Sequence, residues 1–145
     1  MKITIETNKN ITETEIHIKC SQIDESLKEI IASLSLDDCK FVGYLDNEAY
    51  FVSLNEILYF EVVDGETFFY TNGKIYESVL KLYKIEESIQ NTSFARISKT
   101  TIANLRKMTS IKKAEHSRLV ATMVSGEKLV VSRQYVSGIK RKLGV

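Results

Sequence analysis

Turn dipeptides between alternating apolar runs constrain the fold of this chain more than any other sequence feature. Asp64-Gly65 follows the run ILYFEVV, and Asn72-Gly73 separates TFFYT from KIYES. A tight hairpin turn needs positive φ at both central residues, which Gly, Asn and Asp adopt most easily. Two further runs, FVGYL and AYFVSL, flank Asp46-Asn47 in the same manner. The pattern therefore predicts about five antiparallel strands between residues 41 and 78.

The second half of the chain adds short helices and further strands to this pattern. In SVLKLYKIEESI, Leu82, Ile85 and Ile89 recur at helical spacing, and Ser78 is a candidate N-cap. Downstream, MTSIKKAE is a candidate strand, RLVATMV and EKLVVS flank Ser125-Gly126 as a hairpin, and QYVSGIKRKL is a candidate helix. The predicted fold class is therefore mainly β, with antiparallel sheets and short helices.

The first 40 residues are predicted to form a small β-β-α extension. Apolar side chains occupy every second position in two stretches: Ile3 and Ile5, then Ile16, Ile18 and Cys20. This alternation predicts short strands near residues 2–6 and 14–20. A helix is expected from about residue 22 to 34, with Ser21 and Asp24 as an N-cap and capping-box pair. The chain is thus divided into an extension, residues 1–40, and a mainly β domain, residues 41–145.

A nearly neutral net charge of +1 hides a strong asymmetry along the chain. Residues 1–93 carry 8 basic and 17 acidic side chains, a balance of −9, whereas residues 94–145 carry 12 and 2, a balance of +10. Such asymmetry indicates that the basic third binds a polyanion. The alternative is that the acidic and basic parts attract each other within the fold, and charge alone leaves both interpretations open.

The residues that enzymes use for catalysis lack partners in this sequence. His17 falls on the outer side of a predicted strand, and His116 falls in a polar loop. Cys20 and Cys39 are expected to be buried reduced thiols, since neither lies in a His-containing cluster of zinc-ligand spacing. The sequence contains no phosphate-binding Gly-rich loop and no hydrolase motif. It therefore predicts a non-enzymatic protein without a metal or cofactor.

Membrane and secretion signals are missing as well. The apolar runs are all shorter than a membrane span, and MKITIETNKN lacks the apolar stretch of a secretion signal. We therefore expect a cytoplasmic protein.

Cations in the basic third are spaced between apolar anchors. In FARISKTTIANLRKM, Arg96, Lys99, Arg106 and Lys107 are expected to face solvent while the apolar residues are buried. The hydroxyls beside Lys99 are short donors for phosphate oxygens, and long cations reach phosphates or guanine edges. Alternatively, these hydroxyls cap backbone amides in a short loop or helix turn. A second cluster places Arg133 where the last strand meets the last helix, followed by Lys140, Arg141 and Lys142.

The run from Ile57 to Leu143 resembles the LytTR family of bacterial DNA-binding domains. It has ILYFE, a Gly-turn hairpin, KLYKIEESI, FARISKTTIANLRKM, a Ser125-Gly126-Glu127 hairpin and VVSRQYVSGIKRKL in the family's order and spacing. This ordered series covers about 60% of the chain. The resemblance implies stacked antiparallel sheets that offer loops, and no recognition helix, to successive major grooves along one face of DNA.

The resemblance also implies roles for individual residues. Base-contacting positions correspond to Thr67, Lys99 and Arg133, with neighbouring contacts from Ser98, Thr100 and Gln134; further backbone candidates are Arg106, Lys107, Lys140 and Lys142. Many members have His or Arg at the position of Thr67 and a His-Arg or His-Asn pair at Ser98-Lys99, which leaves the base preference of this chain open. Asn104 matches a frequent family Asn, and we expect it to bond the backbone and not a base.

An extension of forty residues is too short for the receiver domain of a full response regulator, so the chain resembles the free-standing subgroup of the family. That resemblance implies double-stranded DNA as partner, a homodimer on paired sites and a small membrane protein as a possible regulator. Two other hypotheses remain. In one, the basic third docks an acidic protein without binding DNA. In the other, Phe68, Phe69 or Tyr70 stack on single-stranded RNA bases.

Overall fold

Ten strands and two α-helices form most of the regular structure in the computed structural model, which describes residues 1–28, 30 and 40–145. The strands are β1 Lys40–Leu45, β2 Glu48–Ser53, β3 Tyr59–Val63, β4 Glu66–Tyr70, β5 Ile75–Ser78, β6 Phe94–Arg96, β7 Thr101–Asn104, β8 Met108–Lys113, β9 Leu119–Met123 and β10 Lys128–Val131. The α-helices are α1 Leu82–Ser88 and α2 Arg133–Leu143, and single 3₁₀ turns span Leu54–Glu56, Leu105–Lys107 and Glu115–Ser117. The mainly β prediction is confirmed.

All strands pair antiparallel, in a seven-stranded sheet of order β2-β1-β5-β4-β3-β7-β6 and a three-stranded sheet of order β10-β9-β8. The predicted hairpins are present, and Asp46, Asn47, Asp64 and Gly65 all have positive φ at their turns. The order is not a simple meander, however, because β1 pairs with β5 through Tyr44 and Glu77. The chain therefore leaves edge strand β2 through the Leu54–Glu56 turn and re-enters the sheet at β3 on the far side of β4.

The large sheet is buried on both faces at its β3-β7-β6 end. On one face, Phe60 and Ile102 pack with apolar residues of α1, and on the other, Tyr59 and Ala103 pack with the small sheet and α2. Successive strand residues point to opposite faces, so each of these strands contributes to both clusters. This explains why ILYF is a continuous apolar run and not an alternating one.

Gly43 in β1 is required by close packing. A Cβ at this position would lie 2.4 Å from Phe69 Cζ and 2.6 Å from Tyr76 Cβ, both in the cluster beneath α1. The two rings are themselves stacked, with centroids 5.1 Å apart. The missing side chain therefore lets β1 lie directly against this aromatic pair.

The two strands expected near residues 2–6 and 14–20 are absent, and this prediction is wrong. Residues 1–23 contain only turns and bends, and the alternating isoleucines Ile3, Ile5, Ile16 and Ile18 are exposed. A turn closes at Asn8, whose carbonyl accepts from the Ile11 amide at 3.1 Å. Alternation predicts which face of a strand would be buried, but an isolated two-stranded hairpin is marginal without a surface to cover it. Cys20 is likewise exposed and not buried, and Cys39 lies outside the described residues.

Two predicted helix caps are also corrected. Residues 25–28 and 30 are helical, and the Asp24 Oδ1 accepts from the Leu27 amide at 2.8 Å, so Asp24 and not Ser21 is the N-cap. Residues 29 and 31–34 of the expected helix lie outside the described part. Ser78 does not cap α1, because it is the last, buried residue of β5 and α1 begins four residues later at Leu82. No helix among the described residues is long and apolar enough to cross a membrane.

Candidate nucleic-acid interface

An open cleft of about 440 Å³ lies between the β6–β7 loop, residues 97–100, and the start of α2. It is lined by Ser98, Lys99, Thr100, Ser132, Arg133 and Gln134. The structure thus brings together five side chains that the sequence analysis had assigned to DNA contacts from two separate motifs. The Lys99 and Arg133 side chains are exposed, so both cations are free to meet a ligand from solvent.

Main-chain hydrogen bonds fix the two walls of the cleft relative to each other. The Ser132 amide, directly before α2, donates to the Ile97 carbonyl at 2.8 Å. Within the loop, the amides of Ile97 and Ser98 donate to the Thr101 carbonyl at 3.0 and 3.3 Å. The Ser98 Oγ accepts from the Thr100 amide at 3.2 Å, as a serine turn does. Ser98 therefore shapes the loop, in agreement with the capping alternative, and its hydroxyl hydrogen remains able to donate to a ligand.

Arg96, which is not among the residues that line the cleft, also holds this loop. Its Nη1 donates to the Lys99 carbonyl at 2.6 Å, and its Nε donates to the Glu86 carboxylate of α1 at 2.5 Å. The sequence analysis had placed Arg96 among the solvent-facing cations, but its side chain is only 21% exposed. The pairing escaped prediction because Glu86 lies on a helix, and only tertiary packing brings that helix over β6.

The first turn of α2 adds a second attractive feature for anions. Ser132 is the N-cap residue, but its side chain makes no capping hydrogen bond, and the first turn contains no acidic residue. Amides at the start of a helix point outward along its axis and carry the positive end of its dipole. Because Ser132, Arg133 and Gln134 all line the cleft, these amides and the Arg133 guanidinium lie together at its wall.

A side-chain contact joins the β9–β10 hairpin to the large sheet. The Tyr59 hydroxyl of β3 donates to the Glu127 carboxylate beside that hairpin, and Tyr59 stacks on Tyr70 with centroids 4.2 Å apart. Burial, followed by the bond to Glu127, raises the pKa of Tyr59 far above its usual range. Burial, followed by the Glu61 charge, raises the pKa of Tyr70 to about 12. Both phenols therefore stay neutral well into the alkaline range, and the Tyr59 hydroxyl continues to donate to Glu127 there.

Four further cations named from the sequence lie away from this cleft. Arg106 and Lys107 are in the 3₁₀ turn after β7. The four residues of β7 separate this turn from the 97–100 loop by about 13 Å. Lys140 and Lys142 are in the last turn of α2, about 10 to 14 Å along the helix from Arg133. Lys142 lines a separate cleft between α1 and α2. These residues flank the cleft and do not form it.

Thr67 is not part of the cleft, and its burial gives no support to the base-contacting role that the resemblance implies for it. Its side chain is 5% exposed and lies in β4 opposite Val62 and Ser78. With a period of two, Thr67 points to the same face as Phe69, toward the α1 side of the sheet. The exposed tip of this hairpin is Asp64, Gly65 and Glu66, which is acidic.

Asn104 bonds the backbone, as predicted. It is 2% exposed, donates to the Ile57 carbonyl at 3.2 Å, and accepts from the Arg106 amide at 3.1 Å and the Ser93 hydroxyl at 2.7 Å. Of the three rings named in the RNA-stacking hypothesis, Phe69 is fully buried, Tyr70 is half-buried against Tyr59, and Phe68 is half-buried in β4. Burial therefore removes Phe69 as a stacking platform.

Two antiparallel sheets, with a basic cleft between a loop and the start of a helix, define a β domain of mainly antiparallel architecture. Residues 47–144 match the family model described as the LytTr DNA-binding domain. The chain therefore belongs to the LytTR DNA-binding domain family, a family of non-enzymatic DNA-binding domains.

Known proteins agree with this assignment. The chain is 25% identical, over 100% of its length and 99% of theirs, to uncharacterized HTH-type transcriptional regulators from Staphylococcus aureus strains NCTC 8325 and N315. The solved structure of a LytTr DNA-binding domain from Bacillus cereus matches with a TM-score of 0.69 at 23% identity, over 73% of this chain and 97% of that one. The likeness to the solved domain shows the fold. In this chain, α1 and α2 are separated by five strands and do not form a helix–turn–helix pair.

Proposed function

We propose that this protein is a transcription regulator that binds duplex DNA sequence-specifically, by inserting the walls of the cleft into the major groove. The observation that carries the proposal is that Lys99 and Arg133 line the same exposed cleft. The short polar side chains of Ser98, Thr100 and Ser132 line it with them. The charge of +10 on residues 94–145 supports a polyanionic ligand. Action on bacterial DNA would locate the protein in the cytoplasm, and the proposal includes no catalytic step.

Base reading is assigned to the two cations of the cleft. Arginine pairs with both acceptors on the major-groove edge of guanine, and lysine binds the same edge. Ser98, Thr100, Gln134 and the first amides of α2 are assigned to phosphate oxygens, which set the register of the protein on DNA. The four flanking cations at positions 106, 107, 140 and 142 are assigned to phosphates farther along the duplex.

The protein is further proposed to act as a homodimer on paired sites. Residues 1–40 are proposed to be an extension separate from the DNA-binding domain of residues 41–145. The exposed isoleucines at positions 3, 5, 16 and 18 give that extension an apolar surface for a protein partner, including a small membrane protein.

Selection of bound sequences from a random duplex pool tests the proposal most directly. We expect one enriched motif, repeated at a fixed spacing if a dimer binds. Titration of the selected duplex should then show log K falling with log salt at a slope of roughly −5 to −6 if five to seven phosphates are neutralised. No saturable binding at physiological salt would refute the proposal and favour docking of an acidic protein.

Two substitutions separate base reading from phosphate binding. Arg133→Ala should cost about 1 to 3 kcal/mol on the selected site and relax its sequence preference. Lys142→Ala should weaken the selected and scrambled duplexes alike and reduce the salt slope by about 1. Lys74→Ala is the charge-matched control, because Lys74 lies at the β4–β5 turn, at the sheet end opposite the 97–100 loop. Equal loss on both duplexes for Arg133→Ala would reassign Arg133 to a phosphate.

A further inference from the structure

We propose that the Glu86–Arg96 ion pair is a positioning unit that holds the Lys99 loop in its DNA-binding shape. The proposal rests on the DNA-binding role of the cleft given above. It adds two residues that lie outside the cleft lining and that would act through Lys99.

The geometry couples the loop to α1 through one side chain. Arg96 Nε donates to Glu86 Oε2 at 2.5 Å, and Nη1 of the same guanidinium donates to the Lys99 carbonyl at 2.6 Å. The guanidinium is a rigid planar fork, so the bond at Nε determines where Nη1 points. The Lys99 main chain, and with it the direction in which its side chain leaves, is therefore set relative to α1.

Other bonds hold the residues beside Lys99, since the Thr100 amide donates to Ser98 Oγ at 3.2 Å and the Thr100 carbonyl accepts from the Val62 amide at 2.9 Å. The Arg96 contact adds a bond at Lys99 itself. The Thr101 carbonyl accepts from the Ile97 and Ser98 amides, and these bonds close the base of the loop. The Arg96 bond holds Lys99 at its tip. The ion pair is partly covered, with the Arg96 side chain 21% and the Glu86 side chain 46% exposed, and partly buried charges are screened by salt less than fully exposed ones.

Two effects of neutralising Glu86 have opposite signs, which makes the proposal testable. Removal of one negative charge makes the protein more positive, and this alone would tighten binding to every duplex. Loss of positioning instead weakens binding to the selected site. Glu87, the next residue on α1, provides the charge-matched control. It pairs with Lys84 at 3.6 Å, and both of these side chains are more than half exposed.

The experiment compares the full-length wild type, Glu86→Gln and Glu87→Gln on the selected and a scrambled duplex. Glu87→Gln should bind both duplexes as tightly as the wild type or more tightly. Glu86→Gln should lose on the order of tenfold on the selected site and nothing on the scrambled one. Identical behaviour of the two variants would overturn the positioning role. If the wild type itself binds no duplex, the DNA-binding role is refuted and this proposal falls with it.

Two additional variants separate positioning from general loss of fold. Arg96→Lys keeps the charge but removes the fork, so it should reproduce the loss seen with Glu86→Gln while the melting temperature stays high enough for binding at 25 °C. In a Lys99→Ala background, Glu86→Gln should have no further effect on the selected site, because the two residues act in series. Additive losses, or parallel losses on both duplexes with a collapsed melting temperature, would show that the pair only stabilises the fold.

Discussion

Replacement of Asn104 by alanine should destabilise the domain without changing what it binds. The Asn104 side chain makes three hydrogen bonds, to the Ile57 carbonyl, the Arg106 amide and the Ser93 hydroxyl, and it is 2% exposed. At about 1 kcal/mol each, loss of these bonds lowers the free energy of unfolding by about 3 kcal/mol, with buried partners left unpaired. For the mainly β domain of residues 41–145, with an unfolding entropy of about 2.1 cal/mol/K per residue, that corresponds to a fall in melting temperature of about 14 °C.

Thermal melting monitored by circular dichroism measures this shift, and duplex titration well below the transition measures binding. Ser93→Ala is the matched control, since it removes only one of the three bonds and should cost about 1 kcal/mol. Affinity of Asn104→Ala for the selected duplex should stay within about twofold, or roughly 0.4 kcal/mol, of the wild type. An unchanged melting temperature together with lost sequence preference would refute the structural role and make Asn104 a base contact.

Three further predictions follow from the packing. Thr67→Val should leave the affinity for the selected duplex unchanged because the Thr67 side chain is buried, and a selective loss of binding would restore Thr67 as a reader. Gly43→Ala should cost about 1 to 3 kcal/mol in a urea titration, since its methyl group would overlap the Phe69 and Tyr76 side chains. The pKa of Tyr70 is raised from 10 to about 12, so its contribution to stability is complete below pH 10 and is lost as pH rises toward 12. Tyr70→Phe should flatten this alkaline decline, whereas an unchanged pH profile would assign it to another group, such as Tyr59.

Local turn chemistry explains why much of the sheet was predictable. Asp-Gly and Asn-Gly dipeptides favour tight hairpin turns, and this preference depends only on residues that are adjacent in sequence. The strands between residues 41 and 78 are present as predicted. The pairing of β1 with β5 was not predictable from such signals, because it joins Tyr44 to Glu77 across three intervening strands of sequence. FARISKTTIANLRKM received no strand prediction but contains β6 and β7, whose strand character depends on burial against neighbours on both faces.

The candidate site was predictable in part, through motif order and charge. Ser98, Lys99, Thr100, Arg133 and Gln134 were named from two motifs, and the fold places them in one cleft. The burial of Thr67 was not predictable, because a motif match gives a position along the chain but not the face of a strand. The contact of Arg96 with Glu86 depends on α1 packing over the sheet edge, which no short-range pattern encodes. The exposed isoleucines near the N-terminus illustrate a different limit of sequence patterns. Alternating apolar residues predict a strand with one buried face, but they do not show that another part of the protein packs against that face.

The bond from the Ser132 amide to the Ile97 carbonyl uses no side-chain atom. Amino-acid replacements at positions 98–100 and 133–134 therefore change the side chains that line the cleft. The main-chain hydrogen bond that aligns the two walls of the cleft is retained. A fold with this feature is able to acquire new target preferences through a few amino-acid replacements in the cleft, without compensating mutations in its hydrophobic core.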